Sequence, residues 1–298
     1  MIARHRSNIY LLLAAFMWGV STPLSKIFLD YYEPTVLLSI QLAFSVSFIW
    51  TLIFIKREKI SMSRANLWPI ALVGLLEPGA AYFLGLSGLV YTTAISAGFI
   101  QSLEPLFIIL LAIPILKKKM TWNVVFVIAL SMLGLYVLTD LKFSELLGNM
   151  YGDFLVMLGA LSAGFYVVVS SKLVRKHSTI LVLGIQQLSS LVMIAVVAYF
   201  ATDWNAFSFN WEFFVWAGIM GIVQFSLSFL FYFMGLEESH PFWAGITLNF
   251  IAIFALLGAV LILNESVSSR QLIGGLMIVM GALFLSQKSD AETIELEQ

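Results

Sequence analysis

The sequence predicts an all-α membrane protein of ten transmembrane helices, arranged as two inverted five-helix repeats with both termini cytoplasmic. Three observations carry this expectation: a composition unsuited to water, an alternation of charge between successive connections, and an internal repeat at a shift of 147 residues.

Of the 298 residues, 60% are hydrophobic and 11% charged, with a mean hydropathy of +0.96. Soluble domains run near 45–50% apolar and about 25% charged. A helix needs about 20 apolar residues to cross the hydrocarbon core, so this length holds roughly ten crossings with short connections. Apolar runs fall near residues 8–29, 35–55, 67–88, 91–116, 122–139, 151–171, 180–200, 212–235, 240–263 and 270–287. Arg4-His5-Arg6 opens the chain as a signal peptide does. The run from Ile9 to Leu29 is too long for such a peptide and lacks a small-residue cleavage site, so it reads as a retained first helix.

The connections alternate in charge. One side carries Lys56, Arg57, Lys59 and Arg64, then Lys117-Lys118-Lys119, then Lys172, Arg175 and Lys176; the other carries mainly Asp30, Glu33, Asp140, Asp153, Asp203 and Glu212. Of sixteen Lys and Arg residues, thirteen fall on the N-terminal side and two opposite, and Lys26 lies near the far end of the first span. The positive-inside rule then puts both termini in the cytoplasm, which implies a multi-pass protein of the cytoplasmic membrane. Trp122, Trp204 and Trp211 fall near span ends, where amphipathic rings settle at the headgroups.

A shift of 147 superimposes Gly74 on Gly221, Gly88 on Gly235, Gly98 on Gly245 and Gly134 on Gly281; earlier in each half a shift of 146 pairs Ser25-Lys26 with Ser171-Lys172. Five spans is an odd number, so a second copy enters the bilayer the opposite way round. The domain expectation is a first repeat over residues 1–145, an inverted second repeat over 146–288, and a polar, disordered tail over 289–298. If each half adopts either of two shapes, exchanging them reverses which side of a midplane site is open.

Other classes lose their usual signatures. With no cysteines, disulfides, thiolate metal sites and cysteine nucleophiles are absent. His5, His177 and His240 sit near the ends of apolar runs, and no HExxH, GxSxG or P-loop sequence occurs. An intramembrane enzyme would lack its nucleophile and metal ligands, and a membrane sensor its output domain. Neither a cofactor nor a metal is expected. Net charge is −1 and the basic residues form short clusters, which argues against nucleic acid as a partner. The partners expected are a small-molecule substrate and membrane lipids; the oligomeric state stays open, a homodimer being one option.

Glu77 and Glu104 break the rule that spans avoid charge. An ionised residue at the bilayer centre costs about 2.5–3.5 kcal/mol on insertion scales, so each is expected to face an aqueous cavity as a substrate contact or proton-coupling group. Each precedes a proline, Pro78 and Pro105, which predicts a kink. Spacing by three and four adds polar neighbours on shared faces: Gln101 with Glu104, Gln224 with Ser228, Asn249 one turn beyond Gly245, and Thr22 one turn beyond Trp18. Tyr82 and Tyr166 complete the candidate substrate-binding set. For the amides and hydroxyls, interhelical hydrogen bonding is an equal alternative, and for the rings, packing is the commoner one.

Several of these segments resemble the drug/metabolite transporter superfamily, in particular its EamA-type ten-helix members. Ala15-Phe16-Met17-Trp18-Gly19 looks like the family's first-helix tryptophan-glycine signature, and Ser102-Leu103-Glu104-Pro105-Leu106-Phe107 like its fourth-helix proline motif. Phe254 to Gly258 through Leu263-Asn264-Glu265, then Gly274-Gly275 and Gly281, resembles the family's run ending in an acidic residue. The resemblance spans nearly the whole chain. Two positions depart from it: Ala252 stands where the family often has proline, and Lys118 replaces the acidic residue ending the fourth helix. What the resemblance implies is export or exchange of small metabolites, commonly amino acids, through a cavity lined by helices 1, 3, 4, 6, 8 and 9. An aromatic-lined site with an acid also suits a quaternary ammonium compound or cationic drug.

Overall fold

A computed structural model describes residues 2–58, 64–116, 122–138, 149–170, 178–204, 209–238 and 250–296, and every regular element among them is helical. The elements are α1 (Ile2–Leu29), α2 (Pro34–Ile55), α3 (Arg64–Gly74), α4 (Ala81–Leu89), α5 (Ala94–Gln101), α6 (Glu104–Leu116), α7 (Trp122–Leu138), α8 (Asn149–Ser170), α9 (Thr179–Ala201), α10 (Trp211–Gly221), α11 (Ser228–Glu238), α12 (Phe250–Leu263) and α13 (Ser269–Leu296). A kinked stretch over Leu75–Ala80, non-helical at Glu77, joins α3 to α4, and a wide π-helical stretch over Ile222–Leu227 joins α10 to α11. Among the described residues, six stretches are long and apolar enough to cross a membrane: Asn8–Leu29, Pro34–Ile55, Leu67–Leu89, Met150–Val169, Thr179–Ala201 and Trp211–Gly235.

The helices start where local chemistry lets them. Pro34 opens α2, where its missing N–H costs nothing. Thr93 caps α5 by accepting the Ser96 N–H at 3.0 Å, and Asn210 caps α10 by accepting that of Phe213 at 3.2 Å. Outward-facing positions stay apolar: Phe54, Phe126, Leu133, Val192, Phe200, Leu261, Ile273 and Met280 are all exposed. So much outward apolar surface suits lipid rather than water. Trp122 and Trp211 are also largely exposed.

Packing repeats itself between the halves. α2 lies on α9 and α7 on α13, while α1 packs against α11 and α12 as α8 packs against α4 and α6. The α2–α10 contact is matched by α9–α3. Small residues allow these approaches. A Cβ at Gly88 would meet Val156 and one at Gly235 would meet Leu11; one at Gly74 would strike Gln186, and one at Gly221 the Gln41 backbone. Gly19 lies against Phe254 as Gly164 lies against Phe107.

These pairs correct the register of the repeat. The later elements keep the shift of 147, down to Arg64–Gly74 matching Trp211–Gly221 and Leu75–Ala80 matching Ile222–Leu227. In the first two helices of each half the shift is 145 rather than 146: Leu11 answers to Val156, Gly19 to Gly164 and Gln41 to Gln186. Helix starts agree, with Pro34 matching Thr179. Close helix crossings fix register more strictly than two-letter matches such as Ser-Lys.

Two other expectations change. The fourth run is two helices, α5 and α6, instead of one. The disordered tail expected from residue 289 is replaced by a continuation of α13 to Leu296, through Ser289-Asp290-Ala291-Glu292-Thr293-Ile294-Glu295-Leu296, which holds neither Gly nor Pro.

Candidate functional site

Helix breaks set the site. At Glu77 the backbone turns extended (φ −147°, ψ 128°), the Glu77–Pro78 peptide is cis, and helix resumes at Ala81. Pro78 has no N–H to offer the Gly74 carbonyl one turn back. That carbonyl instead accepts the Ser190 hydroxyl at 2.6 Å, while Ser162 donates to the Leu76 carbonyl at 3.0 Å and Ser189 to that of Ala71 at 2.8 Å. Hydroxyls of α8 and α9 thus satisfy the interrupted backbone, the condition for a broken helix at membrane depth.

The second break lies between α5 and α6. Pro105 has no N–H for the Gln101 carbonyl, and the Ser102 and Leu103 N–H groups fold back to the Phe99 and Ile100 carbonyls in tight turns. Gln101 therefore ends one helix and Glu104 begins the next, which corrects the expectation that they share a continuous helical face. As first residue of α6, Glu104 stands where free N–H groups and the helix dipole favour a carboxylate.

The second-half counterpart of the Glu77 break is the π stretch of α10–α11, and its equivalent residue is Gln224, at the shift of 147. Here too the backbone takes partners from outside. The Gln224 carbonyl accepts the Trp18 indole N–H at 3.1 Å, that of Phe225 accepts the Gln187 amide at 2.7 Å, and that of Val223 accepts the Ser228 hydroxyl at 2.7 Å. One repeat position thus carries an acid in the first half and an amide in the second.

Glu77 and Glu104 lie within electrostatic range of one another, and both act on Tyr82, Tyr166 and Tyr232. No cationic side chain among the described residues acts on either carboxylate. Both glutamates are partly accessible, as are Tyr82, Tyr232 and Trp18. The Trp18 ring meets Phe229 edge-on at 5.0 Å and Tyr232 at 5.6 Å, and the Tyr82 ring meets Phe225 edge-on at 4.6 Å. Tyr166 donates to the Gln186 amide oxygen at 3.1 Å. Trp18, Glu77, Tyr82, Glu104, Tyr166 and Gln224 are therefore gathered into one interior group.

Other candidates stand apart. Ser228 is fully buried and its hydroxyl is taken up by Val223; Thr22 is buried one turn beyond Trp18; Gln101 is half-buried at the end of α5. Asn249 lies outside the described residues. Among the described residues no three side chains of His, Asp or Glu converge. Tyr232 shares the helical face of Gln224 and Ser228 in the sequence; the residues that helical spacing does not pick out form a buried polar seam of Ser45, Gln187 and Ser226, in which Ser45 donates to Gln187 at 2.7 Å and lies 2.6 Å from the Ser226 hydroxyl. The seam's signal was present, since Gln186-Gln187 and Ser189-Ser190 interrupt an otherwise apolar run.

Long apolar helices, some broken beside a carboxylate, in two halves that pack alike, are the architecture of a multi-pass membrane transporter. The chain belongs to the EamA-like transporter family, whose profile matches residues 5–140 and 150–287. It is 26% identical over 294 residues to an uncharacterized transporter of Methanothermobacter thermautotrophicus, covering 93% of this chain and 85% of that one. An uncharacterized transporter of Archaeoglobus fulgidus is 23% identical, covering 94% and 98%, and the uncharacterized transporter YyaM of Bacillus subtilis is 24% identical, covering 94% and 93%. A solved crystal structure matches 93% of this chain and 97% of its own with a TM-score of 0.67 at 16% identity, which establishes a shared fold.

Proposed function

We propose that the protein is a secondary transporter that exports or exchanges small amine-bearing metabolites, amino acids among them, by alternating access across the cytoplasmic membrane. The observation that carries this reading is the pair Glu77 and Glu104, ringed by Tyr82, Tyr166 and Tyr232, with no cationic side chain among the described residues acting on it. Two carboxylates with no counter-ion among the described residues favour a positive guest: a substrate ammonium group, a proton, or each in turn. Gln101 and Gln224 are neutral amides able to bond a substrate carboxylate without competing for its cation. In this reading the chain crosses the bilayer ten times with both termini cytoplasmic, and residues 1–145 and 146–288 are inverted halves. The charge alternation of the connections and the repeated glycine crossings support it.

A second reading has its own observation. The rings of Trp18, Tyr82 and Tyr232 lie beside the acids, which suits a quaternary ammonium cation held by cation–π contact. Uptake into proteoliposomes of radiolabelled L-amino acids, and separately of tetraethylammonium, distinguishes the two. The expected result is saturable amino-acid flux with counterflow, reduced at least about tenfold in both Glu77→Gln and Glu104→Gln, the range for losing a contact worth about 1.4 kcal/mol or more. Undiminished flux in both variants would sink the carboxylate roles.

A further inference from the structure

Far from the central carboxylates, one face of the molecule is tied together by a network that crosses between the two family-matched segments. Lys26, near the end of α1, donates to the Thr92 carbonyl and pairs with Glu265 at 3.3 Å. Glu265 follows α12, where Asn264 takes a left-handed conformation (φ 54°) and so turns the chain back. Its two carboxylate oxygens accept the N–H groups of Ala94 and Ile95 at 3.0 and 3.2 Å, closing the open start of α5. Alongside, the Thr92 hydroxyl donates to Asp153 of α8, and the Gln271 amide of α13 lies 3.4 Å from the Thr93 hydroxyl and 3.3 Å from that of Ser96.

We propose that Lys26 and Glu265 form a gate: they hold this face shut by pinning α1 and the start of α5 to the α12–α13 turn, and the face opens only when they part. This rests on the alternating-access reading for its purpose, while its geometry stands alone. Three features separate a gate from a permanent strut. The pair bridges residues 5–140 to residues 150–287, and the Glu265 carboxylate ties the start of α5 to the same turn. Its side chains keep 29% and 15% of their exposure, so water can replace each partner as they separate. The lock is also written once. At the shift of 147 the counterpart of Glu265 is Lys118, which has no acceptor for helix-start N–H groups. The carboxylate of the lock therefore has no equivalent at the matching repeat position of the first half.

The chain has no cysteine, so one introduced thiol reports opening without background. Ser25 neighbours Lys26 and is 1% exposed. The test is the labelling rate of Ser25→Cys by a charged methanethiosulfonate in detergent solution, which needs neither a substrate nor an orientation in the bilayer. Adding Lys26→Met, which removes the ion pair and leaves the carboxylate cap, or Glu265→Gln, which keeps one carbonyl for the cap, should raise the rate at least fivefold. Lys26→Arg should keep the parent rate. Equal rates in all four proteins, each monodisperse by size exclusion, overturn the gate. For any variant that aggregates, hydrogen exchange of the Ala94 and Ile95 amides in the remaining variants decides, and unchanged protection there also overturns it. A rise in labelling with uptake of neither amino acids nor tetraethylammonium in any protein would refute the transport reading and leave the gate standing.

Discussion

Replacing Gly74 or Gly221 by alanine tests the pairing of halves on which alternating access depends. An added Cβ at Gly221 falls on the Gln41 backbone; at Gly74 it lies 2.5 Å from the Gln186 carbonyl and 2.6 Å from the Gln186 Cα. The obstacle is main chain in both cases, so neither site is relieved by a rotamer change and the helices themselves have to separate. Overpacking of this kind costs about 1–3 kcal/mol, against a helix-propensity gain of about 0.8–1.0 kcal/mol for alanine over glycine. Gly85 supplies the control, because nothing lies within 4 Å of a Cβ there and only the propensity gain should remain. We expect Gly85→Ala to match or exceed the parent, with Gly74→Ala and Gly221→Ala both below it, and a gap between the two classes of roughly 1–3 kcal/mol. Unfolding in mixed micelles, followed by the fluorescence of the eight tryptophans, measures it. If both variants unfold with Gly85→Ala, the helices are not in the contact described. If only one is destabilised, the α2–α10 and α9–α3 crossings are not equivalent.

Three further substitutions test the polar interior. Gln41 is fully buried with neither amide atom hydrogen-bonded, a loss of about 1–3 kcal/mol for an unsatisfied group, so Gln41→Leu should raise the thermal midpoint; a lower midpoint would show that the amide has a partner. Its counterpart Gln186 is bonded by Tyr166, so Gln186→Leu should not stabilise. Ser45→Ala removes the donor to Gln187 and a neighbour of Ser226, and should cost about 0.6–1.7 kcal/mol, the range for interhelical hydrogen bonds in membranes. An unchanged unfolding midpoint would mean the seam rearranges around the loss.

The site was legible where the sequence breaks a rule of its solvent and illegible where it obeys one. Glu77 and Glu104 were readable because hydrocarbon penalises charge, and Pro78 and Pro105 announced the breaks because a ring nitrogen cannot donate. Their coming together was not readable, since it depends on how far each break redirects its helix, and no periodicity encodes that. The helical-face argument failed between Gln101 and Glu104 for the same reason: it assumes continuity at the point where Pro105 removes it. Register failed differently. The shift of 147 was visible from glycines, yet the shift of 145 in the first two helices emerges only from which backbone each glycine touches. Once the shift is applied consistently, Gln224 falls on Glu77, and the asymmetry of the site follows from sequence alone. A pair of halves with the same acid would give a guest cation equal partners on both sides of the midplane. On the proposed alternating-access reading, with glutamate on one side and glutamine on the other, charge is held by the first half, so movement of the second half can open a path without carrying the counter-ion away from its guest. On that argument Gln224→Glu should tighten binding of an amine-bearing substrate and slow its release, seen as a lower KM with a lower maximal rate. Faster turnover in that variant would refute it.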